Sequence, residues 1–322
     1  MSNAAAGQRV ACVGVGNVGR AWAVVFARAG CEVTLYDRDQ QAVERAVDAI
    51  AAAASDLENA GLLDDAGAVV KRVHAATTLA EAVGAADHVQ ESVREDRAIK
   101  EEVFRALGET ARPDATLASS TSALPGSTFM EQAPGRERCL VAHPVNPPSL
   151  IPLVELCPTP WTDPAVVERV RELMRAVGQR PILLHREVPG FILNRLQYTL
   201  VAEALHLVGE GYCSAEDIDA VLTDGLALRW VLFGPFAVAH LNATAGFAGF
   251  VEQLGGMMRT VGEDARPDYN WDSALIGRIH QELAASMPVD DIPAQQRERD
   301  RRIMSLLRWR AALTDSGETD GA

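Results

Sequence analysis

The chain has 322 residues, 48% of them hydrophobic and 23% charged, with a formal net charge of −14. Such a length allows one large or two medium domains around a substantial core, and the acidic balance excludes a nucleic-acid backbone or an anionic membrane surface as partner. No apolar run is long enough to span a bilayer, the opening MSNAAAGQRV lacks the regions of a secretory signal, and five scattered cysteines show no metal-ligand spacing, so a cytoplasmic protein without a metal is expected.

In chain order, RVACVGVG (9–16) reads as an apolar strand followed by a helical run from Val18 to Ala29. EVTLYD (32–37) reads as a second strand, followed by a helix from Asp39 to about Ala60. Short strands are expected at 73–75, 88–91, 115–120, 139–143, 153–157 and 181–184, with helices at 95–111 and 163–178 between them. Near-continuous apolar strands alternating with helices predict an α/β fold, a doubly wound and mostly parallel sheet. Past Glu187 the pattern changes. Residues 188–211 read as one long helix opened by Pro189 and closed by Gly211, and Ser214 reads as the N-cap of 214–225 with Asp217 three residues on. Nothing beyond alternates as a strand would. The spacing therefore predicts a first domain over 1–187 and a second, all-helical domain over 188–322. The basic stretch 295–310 reads as a solvated helix face, and 314–322 as a frayed tail.

The first strand runs straight into Gly14-Val15-Gly16-Asn17-Val18-Gly19, and the second ends in Asp37, 18 residues after Gly19. A glycine loop between strand and helix, with an acid closing the next strand, is the full context of a Rossmann-type dinucleotide fingerprint. Gly14 permits the tight turn, Gly16 lets backbone N–H groups approach a pyrophosphate, and Gly19 lets helix and sheet pack closely. The helix N-terminus, opening at Asn17 and Val18, adds positive potential for phosphates. Asp37 should accept hydrogen bonds from the adenosine ribose and repel a 2′-phosphate, which favours NAD over NADP; Arg38 next to it leaves room for both.

VAHPVNPP (141–148) puts His143 at the end of an apolar run, followed by three prolines within five residues. Proline restricts its own φ and the residue before it, so the bend holds His143 and Asn146 firmly. Two readings stand on these residues alone: a turn whose histidine caps a strand, or a titratable group fixed for chemistry.

The segments VGVGNVGRAWAVVFARAGCEVTLYD, SSTSALP, VAHPVNPPSLIPLVEL, VPGFILNRLQY and HLNA resemble the 3-hydroxyacyl-CoA dehydrogenase superfamily, and within it the L-gulonate 3-dehydrogenase (lambda-crystallin) branch. The resemblance covers nearly the whole chain. It implies a catalytic histidine at His143 with its partner acid at Glu155, an active-site serine at Ser122 in SSTS, and an asparagine at Asn194 in ILNR. It further implies cofactor contacts near the nicotinamide at Glu95, Lys100 and Asn146, an active site in the cleft between domains, and a homodimer formed through the helical domain. The chemistry suits these residue types. Imidazole titrates near neutral pH and can take a hydroxyl proton, a carboxylate on its other nitrogen fixes the tautomer, and Ser122 and Asn194 can donate to an oxygen where charge develops.

Substrate class is read from departures. The acyl-CoA branch typically has HFFNP where this chain has HPVNPP, and NTSS where it has STSA. GLALRWVLFGPF (225–236) also carries Arg229, a guanidinium suited to bidentate capture of a carboxylate. The expected reaction is NAD-dependent oxidation of the 3-hydroxyl of a small free hydroxy acid, L-gulonate first. LNATAGFAGF (241–250) departs from the gulonate branch and leaves other short hydroxy acids open, carnitine-like ones included. The alternatives are a short-chain 3-hydroxyacyl-CoA dehydrogenase and a non-catalytic, crystallin-like NAD-binding protein.

Overall fold

A computed structural model of the chain describes residues 5–265 and 271–317. Its strands are β1 (Arg9–Val13), β2 (Glu32–Tyr36), β3 (Val73–Ala75), β4 (His88–Glu91), β5 (Thr116–Ser119), β6 (Cys139–Pro144), β7 (Leu153–Pro158) and β8 (Arg180–Leu183). They form one eight-stranded sheet in the order β3-β2-β1-β4-β5-β6-β7-β8. Pairing is parallel throughout, except that β7 runs antiparallel to β6. The helices among these strands are α1 (Asn17–Arg28), α2 (Gln40–Asn59), α3 (Ala66–Lys71), α4 (Leu79–Val83), α5 (Arg97–Thr110), α6 (Ser127–Met130) and α7 (Pro164–Ala176).

The central strands β1 and β6 read as near-continuous apolar runs because helices cover both faces of the sheet. On one face Trp22 and Phe26 of α1 pack with Ile50 of α2 and Met174 of α7; on the other, Phe104 and Leu107 of α5 pack with Phe129 and Met130 of α6. Each large apolar side chain buried this way contributes about 1.5–3 kcal/mol. Winding reverses between β1 and β4, since β2 and β3 extend the sheet on one side and β4 onward on the other. The crevice above the carboxyl ends of strands at such a reversal is where open α/β sheets bind ligands.

Beyond β8 the structure is helical: α8 (Leu193–Gly209), α9 (Ala215–Ala220), α10 (Ala227–Trp230), α11 (Pro235–Leu241), α12 (Gly246–Asp264), α13 (Ser273–Ser286) and α14 (Ile292–Gly317). Two expectations are corrected here. The helix expected from 188 begins only at Leu193, because Gly190 and Phe191 take positive φ values of 75° and 52° and turn the chain first. The helix expected over 214–225 gives way at Val221 to a π-helical turn, Val221–Leu226. Its start is as expected, with Ser214 and Asp217 forming a complete capping box.

The chain forms two compact units. Residues up to Arg195, joined by those from Arg297 on, make the first, and Leu196–Gln296 make the second. The first compact unit includes residues just beyond 187. Ile192, Leu193 and Asn194 are hydrogen-bonded into it, and Ile303, Met304 and Leu307 of α14 pack against its core. Of the expected tail, 314–317 continue α14 and 318–322 lie outside the described residues. Four of the five cysteines are buried and none is paired; burial pushes the Cys31 thiol up to about 11, which makes it unreactive. No single described helix is long and apolar enough to cross a membrane.

Candidate active site

Antiparallel pairing of β6 with β7 sets His143 directly opposite Glu155. The two side chains meet at 2.7 Å, His143 Nδ1 to Glu155 Oε2, and both are buried. The other carboxylate oxygen accepts the backbone N–H groups of Ile192 at 2.9 Å and Leu193 at 3.0 Å. Glu155 thus serves two elements at once: it orients the imidazole and caps the start of α8, satisfying donors that the helix itself cannot. Phe191, at the positive-φ turn, lays its ring 5.3 Å from that of His143, so the imidazole is held on its face as well as its edge. Nε2 of His143 has no partner among the described residues.

Ser122 follows β5 and reaches the same end of the sheet. Glu95 organises its loop by accepting from the Thr121 hydroxyl at 2.6 Å, the Ser122 N–H at 3.0 Å and the Ala123 N–H at 3.1 Å. Burial alone would raise the Glu95 carboxyl, but the Thr121 hydrogen bond, the Lys100 charge and the two backbone donors together hold it below the usual range. Asn194 commits one amide hydrogen to the Ser122 carbonyl at 2.6 Å, which leaves it a second. Ser122, His143, Glu155 and Asn194 all belong to the first unit. Arg229 lies in the second unit, on α10, exposed and free of any ion pair among the described residues. Asn146 is exposed in the proline loop.

Lys100 is enclosed by carboxylates. It is 1% exposed, and its ammonium sits 2.9 and 3.1 Å from the two oxygens of Glu91 and 3.4 Å from Glu95. Glu91, fully buried at the end of β4, also accepts from the Ser119 hydroxyl at 2.5 Å and the Val93 N–H at 2.6 Å. Sequence reasoning passed over Glu91. Its signal was a carboxylate closing the otherwise buried strand HVQE, nine residues before a lysine.

Above β1, Gly14 has φ 91°, and a Cβ there would come within 2.6 Å of the Ser92 backbone. A Cβ on Gly19 would collide with the Gly14 carbonyl, whereas one on Gly16 would meet nothing within 4 Å. That contrast separates two glycines needed for packing from one that borders open space. Asp37 closes the loop by accepting from Val15 N–H at 3.1 Å and Asp39 N–H at 3.1 Å, with lone pairs to spare. Arg38 is exposed beside it. An open glycine, a helix N-terminus with no side-chain cap and a carboxylate at the next strand's end fit a dinucleotide. Asn17 and Val18 form that first helical turn. Among the described residues no cluster of His, Cys, Asp and Glu could hold a metal ion.

Comparison with known proteins places the chain by family. The NAD-binding domain of 3-hydroxyacyl-CoA dehydrogenase matches residues 9–188, and the C-terminal domain of the same family matches 190–276. A lambda-crystallin homolog from Homo sapiens is 37% identical over 97% of this chain and 99% of its own length. An L-carnitine dehydrogenase from Streptomyces griseus is 37% identical over 97% of this chain and 92% of its own. Among solved structures, 5-formyl-3-hydroxy-2-methylpyridine 4-carboxylic acid 5-dehydrogenase, described as an NAD+-dependent dismutase, superposes with a TM-score of 0.81 at 26% identity, covering 94% of this chain and 98% of that one.

Proposed function

The chain belongs to the 3-hydroxyacyl-CoA dehydrogenase family, and from that premise we propose that it oxidises the 3-hydroxyl of a small free hydroxy acid to the 3-keto acid, using NAD. The observation that carries the reading is the buried His143–Glu155 pair at 2.7 Å, with Nε2 of the imidazole unpartnered among the described residues. Glu155 accepts the Nδ1 proton, so Nε2 is the basic nitrogen and takes the substrate's hydroxyl proton. As the imidazolium forms, the carboxylate beside it stabilises the charge. Bound NAD supplies the acceptor for the hydride that leaves the same carbon. Ser122 and the second amide hydrogen of Asn194 donate to the substrate oxygen. Gly14, Gly16, Asn17, Val18, Gly19 and Asp37 hold the adenosine and phosphate end of the cofactor. Glu95 and Asn146 serve the nicotinamide end, with Lys100 acting through Glu95.

For the substrate, the free-acid reading rests on HPVNPP, on STSA and on Arg229, which we assign to the substrate carboxylate. L-Gulonate leads through the likeness to lambda-crystallin homologs; L-carnitine, a 3-hydroxy acid with a free carboxylate, is the second choice on the equal likeness to the carnitine enzyme. Absorbance of the reduced nicotinamide, followed with L-gulonate, L-carnitine, short 3-hydroxy acids and 3-hydroxybutyryl-CoA, tests this. Turnover of a free acid is expected, and Arg229→Ala should raise its KM by roughly tenfold or more, the size of a lost charged hydrogen bond. Turnover of the thioester alone overturns the free-acid reading, and an unchanged KM removes Arg229 from the site.

A homodimer through the second unit is part of the same proposal. Its helices leave large apolar side chains in the open, Phe236 at 75%, Met257 at 66% and Leu241 at 65% exposed among them. Exposure on that scale supports the reading that another chain covers this surface. Light scattering at the column exit should give twice the mass of one chain; a single-chain mass at micromolar concentration would reject the dimer.

A further inference from the structure

A second polar network crosses the sheet beneath the glycine loop, and none of its members belongs to the machinery above. His88 Nδ1 lies 2.7 Å from the Thr116 hydroxyl and His88 Nε2 3.2 Å from Gln90 Oε1. Gln90 Nε2 reaches the Ser120 hydroxyl at 2.7 Å and the Ala142 carbonyl at 3.4 Å. Trp22 Nε1 donates to the same Ser120 oxygen at 3.1 Å, and Ser120 Oγ stands 2.9 Å from Ser92 Oγ.

Counting hydrogens along this chain leaves one free. The indole N–H of Trp22 only donates. Gln90 Nε2 faces a carbonyl, so that end of the amide is the NH2 and also donates. Burial pushes the His88 imidazole down to about 4, against a smaller upward pull from Gln90, so the ring is neutral at pH 7. It donates from Nε2 to Gln90 Oε1 and accepts the Thr116 hydroxyl at Nδ1. A hydroxyl oxygen offers two lone pairs and one hydrogen. Both lone pairs of Ser120 are taken, by Trp22 and Gln90. Its hydrogen therefore goes to Ser92 Oγ, and the hydrogen of Ser92 itself finds no acceptor among the described residues.

The place of that hydrogen matters. Ser92 is the first residue past β4, Gly14 the first past β1, and these are the two strands between which the winding reverses. The Ser92 backbone is bonded to Val13 O at 2.7 Å, and a Cβ on Gly19 would lie 3.5 Å from the Ser92 Cβ. Ser92 is half-buried there, held by backbone and side chain against the glycine loop. We propose that the Ser92 hydroxyl donates a hydrogen bond directly to the bound dinucleotide, with Ser120 fixing its direction. The residue carries no GxGxxG signal and is reached only by following the hydrogens.

The inference rests on the dinucleotide site and not on the choice of substrate, so it is tested by binding. NADH is titrated by its own fluorescence into wild-type protein and into Ser92→Ala, Ser92→Cys and Ser92→Thr, with melting temperatures beside each. Ser92→Ala is expected to raise the NADH Kd about tenfold, and Ser92→Cys, similar in volume but a weak donor, by a comparable factor. Ser92→Thr keeps the hydroxyl and should stay within about threefold of wild type. Wild-type affinity in both the Ala and Cys variants would overturn the proposal. An equal loss in Ser92→Thr at an unchanged melting temperature would overturn it too, because the hydroxyl would then be irrelevant. A protein that turned over no hydroxy acid would leave these titrations readable.

Discussion

Glu155→Gln is expected to lower kcat by roughly 10⁴-fold while leaving the fold and NADH affinity close to wild type. The effect runs through one proton. Glu155 Oε1 accepts two backbone donors, from Ile192 and Leu193, and Oε2 faces His143 Nδ1. A glutamine must keep its carbonyl oxygen toward those two N–H groups, since its NH2 there would oppose donor to donor. Its amide hydrogens then point at Nδ1, which has to accept. The imidazole proton moves to Nε2, the nitrogen that should take the hydroxyl proton, and the base is switched off in place. The cap on α8 survives, so the melting temperature should fall by no more than a few degrees. Single-turnover rates at saturating NAD, read beside the melting curve, check both halves. His143→Ala is the companion: with the imidazole gone, a loss of about 10²–10⁴-fold is expected. Wild-type rates in both variants would show that a group other than His143 takes the hydroxyl proton.

Much of the architecture was open to reading from sequence because it rests on local pattern. Apolar runs closed by Gly14 and Asp37 mark a buried parallel strand and its dinucleotide loop, and burial of β1 is what made its run unbroken. Spacing could also bring His143 and Glu155 close, since a short rigid loop joins their strands. It could not supply the rest of the arrangement. The start of α8 was misplaced because Pro189 is a fair helix opener locally, whereas the capping group, Glu155, lies 37 residues away from Ile192. The enclosure of Lys100 could not be read because long-range partners decide burial, and nothing near it in sequence reveals that Glu91 encloses it. Ser92 was invisible for the same reason: its role depends on Trp22 of α1, Gln90 of β4 and Ser120 just past β5, which only the fold brings together.

The largest expected effect on stability follows from that enclosure. Glu91→Gln should lower the unfolding free energy by about 3–5 kcal/mol, because it leaves the Lys100 ammonium, 1% exposed, with Glu95 alone as a charged partner at 3.4 Å. Adding Lys100→Met should recover most of the loss, since a buried neutral pair of similar volume is often as stable as the ion pair it replaces. Denaturant titration of the two variants measures both. Equal instability of the single and double variants would show that Glu91 matters through Ser119 and Val93 rather than through Lys100. The ion pair is then retained for what the charge does to Glu95. Lys100 is among the groups that hold the Glu95 carboxyl below its usual range. A depressed carboxylate contributes stability that is fully present above its unfolded pKa and is lost as pH falls through its folded pKa. With Lys100 gone, the folded value rises toward the ordinary glutamate range, so Glu95 takes its proton in the folded state, and the loss is complete, at a higher pH. The double variant should therefore match wild type near pH 7 and release the Ser122 loop earlier on acidification, with faster amide exchange at Ser122 and Ala123, whose N–H groups Glu95 holds. Identical acid limbs in the two proteins would confine Lys100 to packing.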